Sequence, residues 1–305
     1  MRFNKLDLNL LVALDVLLTE ASISRAAHRL HMSQSAMSNA LSRLREYFDD
    51  ELLVQVGRRM ELTPRAEALR DPVHDVLLRV DSSIATQPEF VPATSDREFL
   101  IFISDFTLAT LMPHVLALAS EQAPGVRFSL QAQVEEPVRA LERGEVDLLV
   151  MPLDYCSSSH PTDLLFVEEY RCVAWNRGRF SQSPLTIEQY ASAGHIVVVP
   201  ANSHASSFEA WVVQRYGLVR RDEVTTYSFA SAAGLVVGTD RIATMHSRLA
   251  RIAARHLPIV AHVPPIAFPE MKQSIQWHKY RSNDPGLIWL RGLFRQAVAA
   301  MDSAP

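Results

Sequence analysis

Leu10, Leu11, Leu14, Leu17 and Leu18 recur at three- and four-residue spacing, which predicts an amphipathic helix, and Asp7 stands where a side chain caps its first turn. The spacing returns in Ile23, Ala26, Ala27 and Leu30 behind Ser22 as a second cap, and the paired alanines predict a close helix crossing. His31-Met32 is a tight break, after which Ser33 caps a third helix predicted to run to about Tyr47. At about 100° per residue, Met37, Ala40, Leu41, Leu44 and Phe48 form one stripe, with Ser35, Ser38, Asn39 and Ser42 opposite. The first stripe packs; the second offers hydrogen-bonding groups. Residues 51–62 alternate loosely around Gly57 and predict two short strands joined by a basic turn, a wing. Thr63-Pro64 opens a further helix, cap and then proline, with the stripe Leu69, Val73, Val76, Leu77 and Val80. Pro72 inside it is expected to kink or divide it.

Residues 86–95 are polar, carry proline and follow neither period, so they form a linker. Beyond them, strands are expected at 99–103, 126–132, 146–151, 170–175, 195–199, 224–229, 241–245, 259–263 and 274–278. Helices are expected at 107–121, 135–143, 186–193, 206–216, 230–237, 247–256 and from about Asp284. This alternation predicts an α/β fold on mostly parallel sheet, arranged as two similar lobes, with the chain crossing near 152–162 and returning near 264–270. The expected organisation is a winged helical head at 1–63, a connecting helix at 64–87, a hinge at 88–95 and an α/β domain at 96–305. Lobe I comprises 96–160 and 268–305, and lobe II 161–267.

Composition narrows the chemistry. The 305 residues are 48% hydrophobic and 21% charged, a globular balance. The opening MRFNKLDLNLLVALDVLL is interrupted by Asp7, Asn9 and Asp15 and lacks a small-residue cleavage site, so a signal peptide is not expected. With no stretch near the roughly 18 to 20 apolar residues of a membrane span, a cytoplasmic protein is expected. Two cysteines, Cys156 and Cys172, support neither a disulfide framework nor a thiolate zinc site, and they leave a redox switch open only if the fold brings them close. Ten glycines include no G-x-G-x-x-G or phosphate loop; neither G-x-S-x-G nor H-E-x-x-H occurs, so no cofactor and no catalysis are expected. His28 and His31 read as surface histidines rather than metal ligands.

Net charge is −4, so the chain carries no global cationic field. Between Ser22 and Arg45, however, stand Arg25, Arg29, Arg43 and Arg45 and no acidic residue, a local +4 suited to phosphates. Two helices joined by a tight turn, the second polar outward, match the width and hydrogen-bonding groups of a DNA major groove. Gln34, Ser35, Ser38 and Asn39 are the candidates for base edges; Ser33, Arg43, Arg58 and Arg59 are the candidates for phosphates. A solvated polar helix face is the plainer alternative, and the preceding short helix and basic wing weigh against it.

Leu8-Asn9-Leu10-Leu11, Ala26-Ala27, Ser33-Gln34-Ser35-Ala36-Met37-Ser38, Arg43-Leu44-Arg45 and Leu62-Thr63-Pro64 resemble the N-terminal domain of LysR-type transcriptional regulators. The opening MRFNKLDLNLLVAL, with Trp277-His278-Lys279-Tyr280 and Asp284-Pro285-Gly286-Leu287-Ile288-Trp289-Leu290-Arg291, further resembles the branch containing NodD and NahR. The likeness therefore covers nearly the whole chain. It implies a winged helix-turn-helix, a dimerisation helix and a two-lobed effector domain resembling periplasmic binding proteins. It also implies a homodimer or homotetramer on interrupted palindromes in double-stranded promoter DNA, with RNA polymerase as a further partner. Under this resemblance the Leu69–Val80 stripe is a dimer seam; an intramolecular core helix is its other reading.

Ligands of open α/β sheets collect beyond the carboxyl ends of strands. Ser104, Asp105, Phe106 and Thr107 occupy the first such end of the α/β domain, and Asn202, Ser203 and His204 the corresponding end in lobe II. The NahR-like resemblance implies an aromatic effector, with Arg248 pairing a carboxylate and Phe106 and Pro265 flanking a ring. Asp105 would repel an acid unless it points away or holds a donor, which leaves a phenolic or flavonoid-like inducer open. Two rival classes remain. One is a two-lobed small-molecule-binding protein whose head serves only oligomerisation, against which the missing signal peptide argues. The other is an α/β enzyme with a helical regulatory module, against which the absent nucleophile and nucleotide motifs argue.

Overall fold

The computed structural model describes residues 6–57, 59–84 (for 81–84 the backbone alone), 89–182, 184–199, 215, 217 and 220–303. The chain divides into two compact units, Met1–Gln87 with Glu142–Gly144, and Pro88–Leu141 with Glu145–Pro305.

In the first unit, α1 (Leu8–Glu20), α2 (Ile23–Arg29) and α3 (Gln34–Phe48) each begin at a side-chain cap. Asp7 accepts from the Leu10 amide at 2.8 Å, Ser22 from Arg25 at 3.4 Å and Ser33 from Ala36 at 3.2 Å. The turn between α2 and α3 places His31 at φ 53°, a left-handed conformation that stops α2 and redirects the chain. Ala26 and Ala27 are buried, as a close crossing requires, in a core with Leu14, Leu17, Met37, Leu41 and Leu44. β1 (Leu53–Val56) and β2 (Arg59–Leu62) pair antiparallel, with Gly57 at φ 61° in the turn. This is the expected wing.

α4 (Pro64–Ile84) is capped by Thr63, which accepts from Ala66 at 3.1 Å and donates its hydroxyl to Asp50 at 2.6 Å. The helix is not divided at Pro72. Pro72 removes one amide donor, but Pro72 and Ala68, whose carbonyl is released, are both exposed, so water takes the bond. The apolar stripe is split: Val73 is buried with Leu69 and Leu77 against the helical core of its own chain, while Val76 is exposed.

The second unit contains, among the described residues, two five-stranded sheets. The first runs β4 (Arg127–Gln131), β3 (Glu98–Phe102), β5 (Leu148–Pro152), β12 (Met271–Gln276), β6 (Thr162–Glu168). The second runs β11 (Ile259–His262), β7 (Tyr170–Trp175), β10 (Arg241–His246), β8 (Gly194–Val198), β9 (Arg221–Thr226). Both are mixed, which corrects the expectation of mostly parallel sheet. β3 lies parallel to β4 and β5, but β12 is antiparallel to β5 and β6. Likewise β10 is parallel to β8 and antiparallel to β7.

The expected lobe boundary also shifts. The sequence pattern predicts no strand at β6, and residues 162–168 pair with β12 in the first sheet rather than lying in lobe II. The chain crosses at Glu169 alone, not near 152–162. No turn residue separates β6 from β7, and the apolar Leu164 and Val167 are exposed while Glu168 is buried, so polarity does not follow burial and the sequence does not mark a boundary there. The single helix expected at 107–121 is two, Asp105–Thr110 and Met112–Gln122, with Pro113 in the first turn of the second. The helix expected at 206–216 lies outside the described residues.

The terminal helix, Pro285–Ser303, buries Leu287, Leu290, Leu293, Phe294, Ala297 and Met301 along one stripe. Asp284 caps it, accepting from the Gly286 and Leu287 amides at 2.9 and 3.1 Å, and holds both ends of the Arg97 guanidinium at 2.6 and 2.7 Å. Gly286 lies so close beneath Arg97 that a Cβ would displace the guanidinium. Among the described residues no helix is long and apolar enough to cross a membrane.

Candidate nucleic-acid interface and effector cleft

The α3 surface divides as its sequence spacing predicts. Met37 and Leu44 are fully buried, while Gln34, Ser35, Asn39, Ser42 and Arg43 are exposed and Ser38 is half-buried. Gln34 and Asn39 carry the amide groups suited to bidentate reading of adenine. The serines are more committed. Ser33 caps α3 and shares a hydrogen bond with Ser35 at 3.0 Å, and Ser42 donates back to the Ser38 carbonyl. Arg59 is exposed on β2, and Arg58 lies outside the described residues.

The local +4 is compensated in three dimensions. Glu20 pairs with Arg25 and Arg29 at 3.2 and 3.1 Å, Asp7 with Arg43 at 3.3 Å, and Glu51 with Arg45 at 3.1 Å. All three acids stand outside 22–45, which is why a count within that window misses them. The Leu10 amide, and then Arg43, hold the Asp7 carboxyl below the usual carboxylate range. Solvent screens such exposed pairs, so they are weak and the arginines stay open to exchange with other anions. Arg45 differs: it also donates to the Glu51 and Leu53 carbonyls, both at 2.8 Å, and so fixes the wing to α3.

In the second unit, Ser104 caps the helix Asp105–Thr110. Thr107 is fully buried and accepts from Gln273 at 3.0 Å. Phe106 is buried too. Its ring stacks on His246 with centroids 3.9 Å apart, so it serves the core and does not flank a ligand ring. Tyr170 and Phe229 complete the enclosure of His246, and burial drives that imidazole down to about 3, keeping it neutral. Asp105 holds donors: the Ser228 hydroxyl at 2.8 Å and the Ala230 amide at 3.0 Å. It thereby joins the carboxyl end of β3 to the start of the helix Phe229–Leu235 in the other lobe.

Arg248 is not a free clamp for a carboxylate. It pairs with Glu168, whose side chain is wholly buried, at 2.6 Å and with Asp302 at 2.8 Å, donates to the Val167 carbonyl and lies over the Phe166 ring. Glu168 also accepts from the Ser247 hydroxyl and the Arg248 amide. These contacts tie β6 of the first sheet to the helix Ser247–Ala254 of the second lobe. Beside them opens a hollow of about 610 Å³ walled by Glu169, Arg171, Arg251 and Glu270, cations and acids balanced. Pro265 is half-buried in the return segment beyond β11; Asn202, Ser203 and His204 lie outside the described residues.

No sequence pattern marks Glu20, Glu168, Ser228, His246 or Gln273, which the fold brings into these contacts. Only Glu20 sits close enough to its partners for a wider charge window to have found it. Neither cysteine is in a disulfide: Cys172 is buried in β7, and Cys156 is half-buried with its thiol pushed up to about 11 by burial, which leaves little reactive thiolate. No cluster of metal ligands occurs among the described residues.

Comparison with known proteins covers both units. Residues 8–67 match the bacterial regulatory helix-turn-helix protein family of the lysR type, and residues 94–299 match the LysR substrate binding domain. Nodulation protein D of Bradyrhizobium sp. (strain ANU 289) is 40% identical over 99% of this chain and 90% of its own length. Nodulation protein D 1 of Sinorhizobium fredii (strain NBRC 101917 / NGR234) is also 40% identical, over 99% of this chain and 94% of its own length. Among solved structures, one described as a probable transcriptional regulator from Pseudomonas aeruginosa is 28% identical, with TM-score 0.64 over 96% of this chain and 98% of that one. A full-length OxyR variant from the same organism shares the fold, with TM-score 0.73 at 16% identity over 96% of this chain and 94% of that one.

Proposed function

This chain belongs to the LysR family of bacterial transcriptional regulators, and from that premise we propose how its residues divide the work. Residues 1–63 read promoter DNA, 64–87 pair two copies, 88–95 form the hinge, and the two lobes beyond hold a small effector. The observation that carries the DNA reading is the division of α3, with Gln34 and Asn39 exposed opposite the buried Met37 and Leu44. Gln34, Ser35, Ser38 and Asn39 meet base edges; Ser33, Arg43, Arg58 and Arg59 meet phosphates.

The effector sits beyond the carboxyl ends of β3, β8 and β9, near Ser104 and Asp105. Arg248 is already matched to two acids, so the cation an aromatic acid would need is engaged, and an aromatic phenolic effector is favoured. The protein acts without catalysis or cofactor, in the cytoplasm, as a homodimer or homotetramer on two-fold sites, with RNA polymerase as a further partner. Its mechanism is a population shift between lobe arrangements.

Fluorescence anisotropy on promoter and random duplexes tests the assignment. Gln34→Ala, which removes a bidentate amide, is expected to weaken promoter binding by about 1–3 kcal/mol and to spare random duplex, and Ser38→Ala to do the same to a smaller extent. Arg43→Ala is expected to weaken both alike and flatten the salt dependence. Equal losses on both duplexes for all three variants contradict these roles, and a series of phenols against matched aromatic acids decides the effector class.

A further inference from the structure

Glu20, the last residue of α1, holds one guanidinium with each carboxylate oxygen: Oε2 lies 3.2 Å from Arg25 Nε and Oε1 lies 3.1 Å from an Arg29 terminal nitrogen. Arg25 also donates to the Glu20 backbone carbonyl. Arg25 and Arg29 are four residues apart and so project from one face of α2. Their side chains are 66% and 54% exposed, whereas that of Glu20 is 23% exposed. Together with Ser24 and His28 they line a shallow hollow of about 450 Å³. Two guanidinium forks converging on one oxyanion, with the Ser24 hydroxyl, now sharing a hydrogen bond with Ser22 at 3.2 Å, at the rim, make up the chemistry that seats a phosphate. The first helix of a helix-turn-helix is also the one that crosses the DNA backbone.

We propose that Arg25, Arg29 and Ser24 form a seat for a DNA backbone phosphate, and that Glu20 is its resident competitor, occupying the seat in the free protein and yielding it to duplex. The proposal rests on the reading that this head binds DNA through α3. The Glu20 pairs are exposed and weak, so exchange for phosphate is easy. One carboxylate nevertheless lowers the effective cationic charge of the face by one. A phosphate carries no sequence information, so the effect falls equally on every duplex. By counterion release, removing that charge steepens the log–log salt slope by about 0.9 and tightens binding about eight-fold at 0.1 M salt.

The test uses the full chain, with Glu20→Gln, which keeps the side-chain shape, with Arg25→Ala/Arg29→Ala, and with the triple variant. Anisotropy is measured on promoter and random duplexes across a salt series. Glu20→Gln is expected to bind both duplexes about eight-fold more tightly at 0.1 M with the steeper slope. Arg25→Ala/Arg29→Ala is expected to flatten the slope, and adding Glu20→Gln to that background should recover clearly less than the gain of about eight-fold, since no seat remains to be vacated and only the carboxylate's repulsion is relieved. Arg25→Lys/Arg29→Lys, which keeps both charges, should retain most of the slope and so separates lost charge from lost folding. If wild type binds but Glu20→Gln leaves slope and affinity unchanged, or tightens promoter binding alone, the seat is overturned. Failure of the wild type to bind any duplex at low salt overturns the DNA reading itself and is recognised separately.

Discussion

The His246 imidazole lies flat on Phe106 with Tyr170 and Phe229 around it, and its pKa falls from 6.5 to about 3 because burial penalises the charged ring. The unfolded chain takes up a proton near 6.5 and the folded chain only near 3. The contribution to stability is therefore complete above pH 6.5 and is lost as pH falls through that window. One proton corresponds to about 1.4 kcal/mol per pH unit. His246→Phe keeps the stacking and removes the titration, so its urea midpoint should fall less between pH 6.5 and 5 than that of the wild type. Equal slopes would show that His246 is not the group responsible. At this scale the caps Asp7, Ser22 and Ser33 were legible, because each acts on an amide three residues ahead. The role of Arg248 was not, because Glu168 lies 80 residues earlier in the chain.

Among elements, the terminal helix shows how one residue sets both a boundary and a docking site. Burial pushes the Asp284 carboxyl up, but the hydrogen bonds and charge of Arg97 more than offset this and hold it below its usual range. Asp284→Asn should destabilise the second unit by about 3 kcal/mol, the low end for unmatching a buried pair, since Arg97 and Arg281 keep access to water. Denaturant titration measures this; a loss below about 0.5 kcal/mol, the scale of an ordinary surface substitution, would mean that the cap matters and the ion pair does not. The head helices were readable from period and caps, since each helical turn is a local agreement between neighbours. β6 was not, because its separation from β7 depends on which sheet each strand joins, and nothing within Thr162–Trp175 encodes that choice.

For the whole molecule, the Asp105 carboxylate links the lobes through the Ser228 hydroxyl and the Ala230 amide, partners 123 and 125 residues away. Asp105→Ala removes two hydrogen bonds to a charged acceptor. It should raise the effector dissociation constant about ten-fold, the scale of one such bond, as read by calorimetry on the full chain. An unchanged constant would place the effector elsewhere or make the bridge indifferent to it. The winged head, the polar face of α3 and, β6 and the divided helix at 105–122 apart, the alternation beyond residue 96 were written in local sequence, since periodicity, caps and turn residues act across a few positions. Sheet membership, the pairing of the four arginines of 22–45 with acids, the withdrawal of Phe106 into the core and the engagement of Arg248 and Asp105 came from the folded chain. Each depends on groups brought together by packing, and distance along a sequence carries no information about distance in space once the chain turns back on itself.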